Sequence, residues 1–207
     1  MPDISTLAVF AAATLALLVV PGPAVTYIVT RSVAQGRAAG LVSVLGIHLG
    51  SLVHVAAAAL GISALLAASA TAFTIVKLVG AAYLIYLGVM KFVRRETGEL
   101  AEAAPASRRR LLTEGFVVNV LNPKTAIFFL AFLPQFTDPA LGPVAPQIVV
   151  FGVIWITLGL LSDGAFALLA SVLAGRLRRS ARARRRLDVS SGAIFVTLGV
   201  GMATLTK

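Results

Sequence analysis

Three tracts of this chain, Ile4 to Thr30, Ala38 to Val76 and Val189 to Thr206, contain no Asp, Glu, Lys or Arg. A helix needs only about 20 apolar residues to cross the roughly 30 Å of hydrocarbon in a bilayer. No water-soluble core calls for so many runs of that length. With 58% of its 207 residues hydrophobic and 13% charged, the chain reads as a polytopic membrane protein. Runs of helix-crossing length make the expected fold class all-α. Spans are expected near 4–29, 39–66, 72–93, 112–136, 144–173 and 187–206. The boundary from Ala67 to Ala72 is the least marked, having no Gly, Pro or charge.

The first stretch is expected to be retained rather than cleaved as a signal: its leading residues carry Asp3 and no Lys or Arg, and it runs into Pro-Gly-Pro. Cysteine is absent, which removes disulfides and thiolate metal sites. Of the 18 Lys and Arg residues, 15 fall in alternate loops: Arg31 and Arg37; Lys91, Arg94, Arg95 and Arg108 to Arg110; and Arg176 to Arg186. The loops between them carry no basic residue. By the positive-inside rule both termini are expected outside and the basic loops in the cytoplasm. Topology and anionic headgroups account for the net charge of +10 without any nucleic-acid partner.

Within these tracts stand helix breakers, Pro21-Gly22-Pro23 in the first span and Asn122-Pro123-Lys124 in the fourth. Proline lacks a backbone N–H and crowds the carbonyl one turn earlier, so Pro21, Pro23 and Pro123 should release the carbonyls of Leu17, Val19 and Asn119. A free carbonyl in hydrocarbon costs several kcal/mol unless protein, water or ligand meets it. The half-helices that resume offer N–H groups and positive dipole ends to a carboxylate. Three spans on either side of a solvated linker, about 94–111, make two halves of opposite sense (about 1–93 and 112–207). Breakers in corresponding helices of such inverted repeats mark a transport site near the midplane. The alternative is a pair of simple packed kinks. Against that reading stands Lys124, a charge costing about 3 kcal/mol at mid-membrane.

The stretches Pro21-Gly-Pro23, Gly36-Arg-Ala-Ala-Gly40, Gly80-Ala-Ala-Tyr-Leu-Ile-Tyr-Leu-Gly88 and Gly115 to Phe136, with its Asn-Pro-Lys, resemble the LysE/RhtB family of bacterial amino-acid exporters. The resemblance runs almost end to end and is most specific at Asn-Pro-Lys. It implies a six-span inner-membrane protein that expels amino acids or close derivatives against a proton gradient. Ala24 departs from the pattern, because the family often has Asn or another polar residue directly after Pro-Gly-Pro.

Asp163 lies on a helical stripe with Trp155 and Gly159 in the fifth span, so its carboxylate must face the interior, pair, or take up a proton. It is the expected proton-coupling residue or ammonium acceptor, with Lys124 as its expected charged partner; a static ion pair is the bland alternative. Asn119 and Asn122, three apart, share a face before Pro123 and are expected to line the cavity or to hydrogen-bond between helices. Lys77 reads as a snorkelling anchor. His48 and His54, about 120° apart around a helix, suit packing or hydrogen bonding rather than one metal ion. Gly36, Gly40, Gly46 and Gly50 allow close helix contact within the bundle or at a homodimer seam.

No Gly-x-Ser-x-Gly elbow, His-Glu-x-x-His helix or phosphate-binding Gly-rich loop appears, so an enzyme is not expected. The expected substrate-binding residues are Pro21, Gly22, Pro23, Asn119, Asn122, Pro123 and Lys124. A proton gradient replaces any cofactor, and the halves rock about the site in alternating access. The single deep carboxylate leans the substrate toward neutral amino acids such as threonine, homoserine or leucine. A channel or scaffold is the rival reading.

Overall fold

The computed structural model describes residues 2–68, 70–93 and 105–174, with Val196, Thr197, Val200 and Ala203 beyond them. Every element among these is helical. Helix α1 (Ile4–Val19) begins where the Asp3 side chain accepts the Thr6 N–H at 2.7 Å. It stops at Val20, which takes an extended backbone because the residue before a proline is driven out of the helical region. Helix α2 (Pro23–Gln35) resumes with proline at its first position, where a missing N–H is harmless, and leaves at 54° to α1. It ends at Gly36, whose φ of 82° only glycine adopts without strain. Helices α3 (Arg37–Ala68) and α4 (Ala70–Val93) follow.

The second break repeats the first. Helix α5 (Arg108–Val120) is capped by the Ser107 side chain, which draws the basic triplet into its first turn. Asn122, before Pro123, is again extended, and α6 (Pro123–Ile127) departs with its continuation at 49°. That continuation widens into a π-helical turn, Phe128–Phe132, then tightens into a 3-10 turn, Leu133–Phe136, where Pro134 can donate no N–H. A further 3-10 turn, Pro139–Leu141, leads into α7 (Val144–Val172).

Among the described residues two helical stretches are long and apolar enough to cross a bilayer, Arg37–Gly61 and Val144–Val172. There are four if each bent pair counts as one broken span. The expected sixth span, 187–206, and most of the expected linker lie outside the described residues, as does the side chain of Lys77; the four residues described past 174 are helical.

The two sides of α3 differ in burial but not in polarity as a soluble helix would. Leu41, Leu45, Leu49, Leu52 and Val53 are exposed along one face while Val44, Ile47, His48 and Ser51 are buried on the other. A soluble helix would put polar residues outward; here the outward stripe is apolar, as contact with lipid tails requires. The inward face of α7 carries Phe151, Trp155, Gly159, Asp163 and Ala167, all buried, which is the stripe expected from spacing.

Two apolar clusters hold the bundle. Phe10 of α1 meets Phe151 of α7 at 4.5 Å between ring centroids, and Phe128 meets Trp155 at 4.1 Å. The smaller cluster joins Ile28, Val44, Ile47 and Ala167 of α2, α3 and α7. Helices α3 and α5 approach almost backbone to backbone. A Cβ on Gly46 would collide with the Leu112 carbonyl, one on Gly50 would lie 2.8 Å from the Phe116 carbonyl oxygen, and one on Gly115 would lie 2.8 Å from that of Ser43. Gly46 and Gly50 therefore serve a crossing inside the bundle, whereas a Cβ on Gly36 would meet nothing within 4 Å.

Candidate functional site

Both breaks open onto one interior cavity of about 20 Å³. It is lined by Leu18 of α1; Ala24 and Val25 of α2; Ile47, His48 and Ser51 of α3; Asn119 and Asn122 at the second break; Lys124 and Thr125 of α6; and Trp155 and Asp163 of α7. A cavity of this size has room for about one water molecule.

Lys124 is the side chain that joins the breaks. Only 6% of it is exposed, and its ammonium donates to the carbonyls of Leu17 at 3.0 Å and Val20 at 2.8 Å. The carbonyl of Leu17 is one that the proline was expected to release. The other is Val20's rather than Val19's, because Val20 has already left the helix and its extended backbone turns the carbonyl aside. Gly22 keeps the route clear: a Cβ there would sit 3.3 Å from Lys124 Cδ.

At the second break the carbonyl of Asn119 accepts the Asn122 N–H at 3.0 Å and bonds His54 Nε2 at 2.9 Å. The Asn119 amide is fully used: Nδ2 donates to the Ile47 carbonyl at 2.8 Å and to Ser51 Oγ at 2.9 Å, and Oδ1 accepts from Thr125 Oγ1 at 3.0 Å. It lines the cavity and also stitches α5 to α3 and α6, so both expectations for it meet in one side chain. Asn122 Oδ1 caps α6 by accepting the Lys124 N–H at 3.1 Å, leaving its Nδ2 buried without a partner.

The carboxylate of Asp163 has a partner that spacing alone did not single out. Its Oδ2 lies 3.0 Å from His48 Nε2, with both side chains about 5% exposed or less, and Lys124 is occupied with the carbonyls of the first break. Sequence spacing along α7 shows which way Asp163 points but not which helix faces it. Gly159 makes the pairing possible, since a Cβ there would collide with the His48 ring. His48 and Trp155 were not expected as site residues. The signal for His48 was its place on the buried face with Val44, Ile47 and Ser51.

Four buried side-chain atoms of the lining have no hydrogen-bond partner: His48 Nδ1, Asn122 Nδ2, Trp155 Nε1 and Asp163 Oδ1. Such atoms are rare and costly in a folded interior. Together they supply donors for an anion and an acceptor for a cation within one small space. Pro21, Gly22, Pro23 and Pro123 do not line the cavity; they bend the helices that do.

A second polar cluster lies toward the basic end of the bundle. Glu114 of α5 accepts from Arg31 Nη2 of α2 at 2.6 Å and from Arg110 Nε at 2.7 Å. The Tyr27 hydroxyl donates to the Leu111 carbonyl at 2.9 Å. This cluster ties α2, just past the first break, to α5, just before the second. Beside it is a surface groove of about 330 Å³ lined by Tyr27, Thr113, Glu114, Val117 and Val118.

Lipid-facing apolar stripes and two broken helices converging on a buried polar cavity define a multi-pass helical membrane protein of the transporter kind. The chain belongs to the LysE family: the model described as "LysE type translocator" matches residues 15–206. It is 32% identical over 187 residues to an uncharacterized membrane protein of Vibrio cholerae serotype O1, covering 89% of each chain. A homoserine/homoserine lactone efflux protein of Salmonella typhimurium is 30% identical over 185 residues, again 89% of each. The leucine efflux protein of Klebsiella pneumoniae subsp. pneumoniae is 26% identical over 196 residues, 91% of this chain and 90% of the relative. No solved structure matches the chain.

Proposed function

We propose that this protein is a secondary transporter of the bacterial inner membrane that exports neutral amino acids by proton antiport. In this reading two inverted three-helix halves alternate access to a site between the broken helices, and both termini face outward. The observation that carries it is the cavity itself, where both breaks, the buried Lys124 ammonium and the Asp163 carboxylate meet. A zwitterion has a use for each: its carboxylate for the ammonium and the Asn122 and Trp155 donors, its amino group for Asp163 Oδ1.

The size of the cavity supports alternating access. About 20 Å³ cannot hold an amino acid, so loading requires the walls to separate. Asp163 is the sole carboxylate among the described lining residues, which supports a neutral side chain over a cationic one. The names of the relatives, homoserine/homoserine lactone and leucine efflux proteins, point the same way.

The test is dipeptide feeding of cells expressing the chain, with internal and external amino acids quantified across the full panel. Selective efflux of neutral amino acids, lost in Asp163→Asn at matched membrane levels, is the expected result. Unchanged amino acids despite verified insertion would sink the reading in favour of a scaffold or a different substrate.

A further inference from the structure

His48 touches the carboxylate of Asp163, and what that contact can do turns on charge. The His48 and Asp163 side chains are buried together, joined at 3.0 Å through Nε2 and Oδ2, and each keeps a second polar atom unpartnered: Nδ1 on the histidine and Oδ1 on the aspartate. With Nε2–H donating to the carboxylate, Nδ1 is the ring atom left to gain or lose a proton. Protonated there, the pair is neutral overall as an imidazolium beside a carboxylate. Deprotonated, it carries one buried negative charge. An uncompensated buried charge is strongly unfavourable.

We propose that His48 is the proton-carrying half of a His48–Asp163 dyad, and that a proton on Nδ1 and the substrate ammonium at Oδ1 occupy the dyad in alternation. Arrival of the ammonium expels the Nδ1 proton to water on the loading side. Departure of the substrate on the far side leaves the dyad negative, and a proton from water there restores neutrality. Each zwitterionic substrate, through its ammonium group, is thereby exchanged for one proton, and the empty, deprotonated dyad is the costly state that prevents leak.

The surroundings favour this assignment. Around the cavity α6 presents Lys124 and α7 presents Asp163. The lining residues of α1, α2 and α5, namely Leu18, Ala24, Val25 and Asn119, are not ionisable. Lys124 is engaged with two backbone carbonyls of the first break, and His54, also on α3, with the carbonyl of Asn119. His48 is thus the imidazole that touches Asp163. Gly159 is the positioning residue, because only the absence of a side chain there admits the ring.

This inference rests on the amino-acid reading, and one experiment separates the two. Trp155 is the chain's only tryptophan and lines the cavity, so its fluorescence reports occupancy of the site. The full-length purified protein is titrated with L-leucine and with L-homoserine between pH 5.5 and 8.5, as wild type, His48→Gln and Gly159→Ala. The Gln amide can still donate to Asp163 but cannot titrate. For the wild type, apparent affinity should fall by up to about tenfold per pH unit on the acid side, the limit for one proton displaced per ligand. Both variants should lose that slope, whatever their absolute affinities. Gly159→Ala does so with His48 still present, which separates the position of the ring from its removal. A wild-type slope in His48→Gln would overturn the dyad while leaving an amino-acid site intact. Binding with no pH dependence in the wild type would overturn proton exchange alone. No fluorescence response to either L-leucine or L-homoserine, repeated with each amino acid of the efflux panel, would overturn the amino-acid reading and the dyad with it.

Discussion

The two helix breaks look alike in sequence and in bend, 54° and 49°, yet only the second is capped by a side chain of its own. At the first, Gly22 offers no side-chain cap and Ala24 no charge, and the loosened carbonyls of Leu17 and Val20 are held by Lys124, which comes from the second break. At the second, Asn122 caps α6 with its own side chain, and the Asn119 carbonyl is held by His54 from α3 in the N-terminal half of the chain. Each break is therefore finished by a side chain from the other half. A proline break stabilised only locally would be a static kink. One stabilised from across the interior is sensitive to how the halves sit together, which is what a transport cycle requires.

The largest effect should come from removing the side chain that spans the breaks. Lys124→Ala leaves two buried carbonyls without their charged donor, a loss of about 1.5–3 kcal/mol for each such bond. Export should fall more than about tenfold, since about 1.4 kcal/mol already corresponds to a factor of ten. Insertion should not suffer, because deleting a lysine near mid-membrane removes a cost of about 3 kcal/mol. Efflux assays normalised to membrane-inserted protein check both halves of this expectation. Wild-type export by the alanine variant would reduce the contrast between the breaks to packing.

Asn122 allows a finer cut, because its two ends do different things. Its Oδ1 caps α6, a role that serine also fills well, while the unpartnered Nδ2 faces no protein acceptor. Asn122→Ser should keep thermal stability in detergent within about 0.5 kcal/mol of wild type, whereas Asn122→Ala should lose about 1 kcal/mol with the cap. Export should fall several-fold in both if Nδ2 is a substrate donor. Export retained by serine and lost by alanine would assign Asn122 to the cap alone.

How much of this was legible beforehand follows from which interactions are local. Proline restricts its own neighbours, so the ends of α1 and α5 at Val19 and Val120 and the restarts at Pro23 and Pro123 follow from a few residues each. Helical spacing likewise placed Asp163 on an inward stripe with Trp155 and Gly159. The start of α5 at Arg108 was less plain, because a triplet of arginines reads as a loop until Ser107 is seen to cap it. The partner of Asp163 was beyond reach. His48 lies 115 positions away, and its ring fits beside α7 only because Gly159 has no side chain, a fit that no periodicity encodes. The π-helical turn at Phe128–Phe132 escaped for a related reason: a run of phenylalanines is apolar whatever its winding, and only packing against Phe10 and Trp155 sets it.

The smallest expected effect bears on the remaining ambiguity of the first break, whether Gly22 meets substrate or merely makes room. Its φ of −136° and ψ of −170° are extended backbone open to any residue, so alanine brings no strain there. An added Cβ would sit 3.3 Å from Lys124 Cδ, on a flexible chain able to yield by a few tenths of an ångström. Stability should stay within about 0.5 kcal/mol, with the lower chain entropy of the unfolded state offsetting the tighter contact. Export by Gly22→Ala should then fall no more than about twofold, measured as the initial efflux rate at matched membrane levels. A loss as deep as that of Lys124→Ala would mean that the backbone at Gly22 is itself a wall of the loaded site. The first break would then be a binding surface in its own right rather than the seat of the second break's lysine.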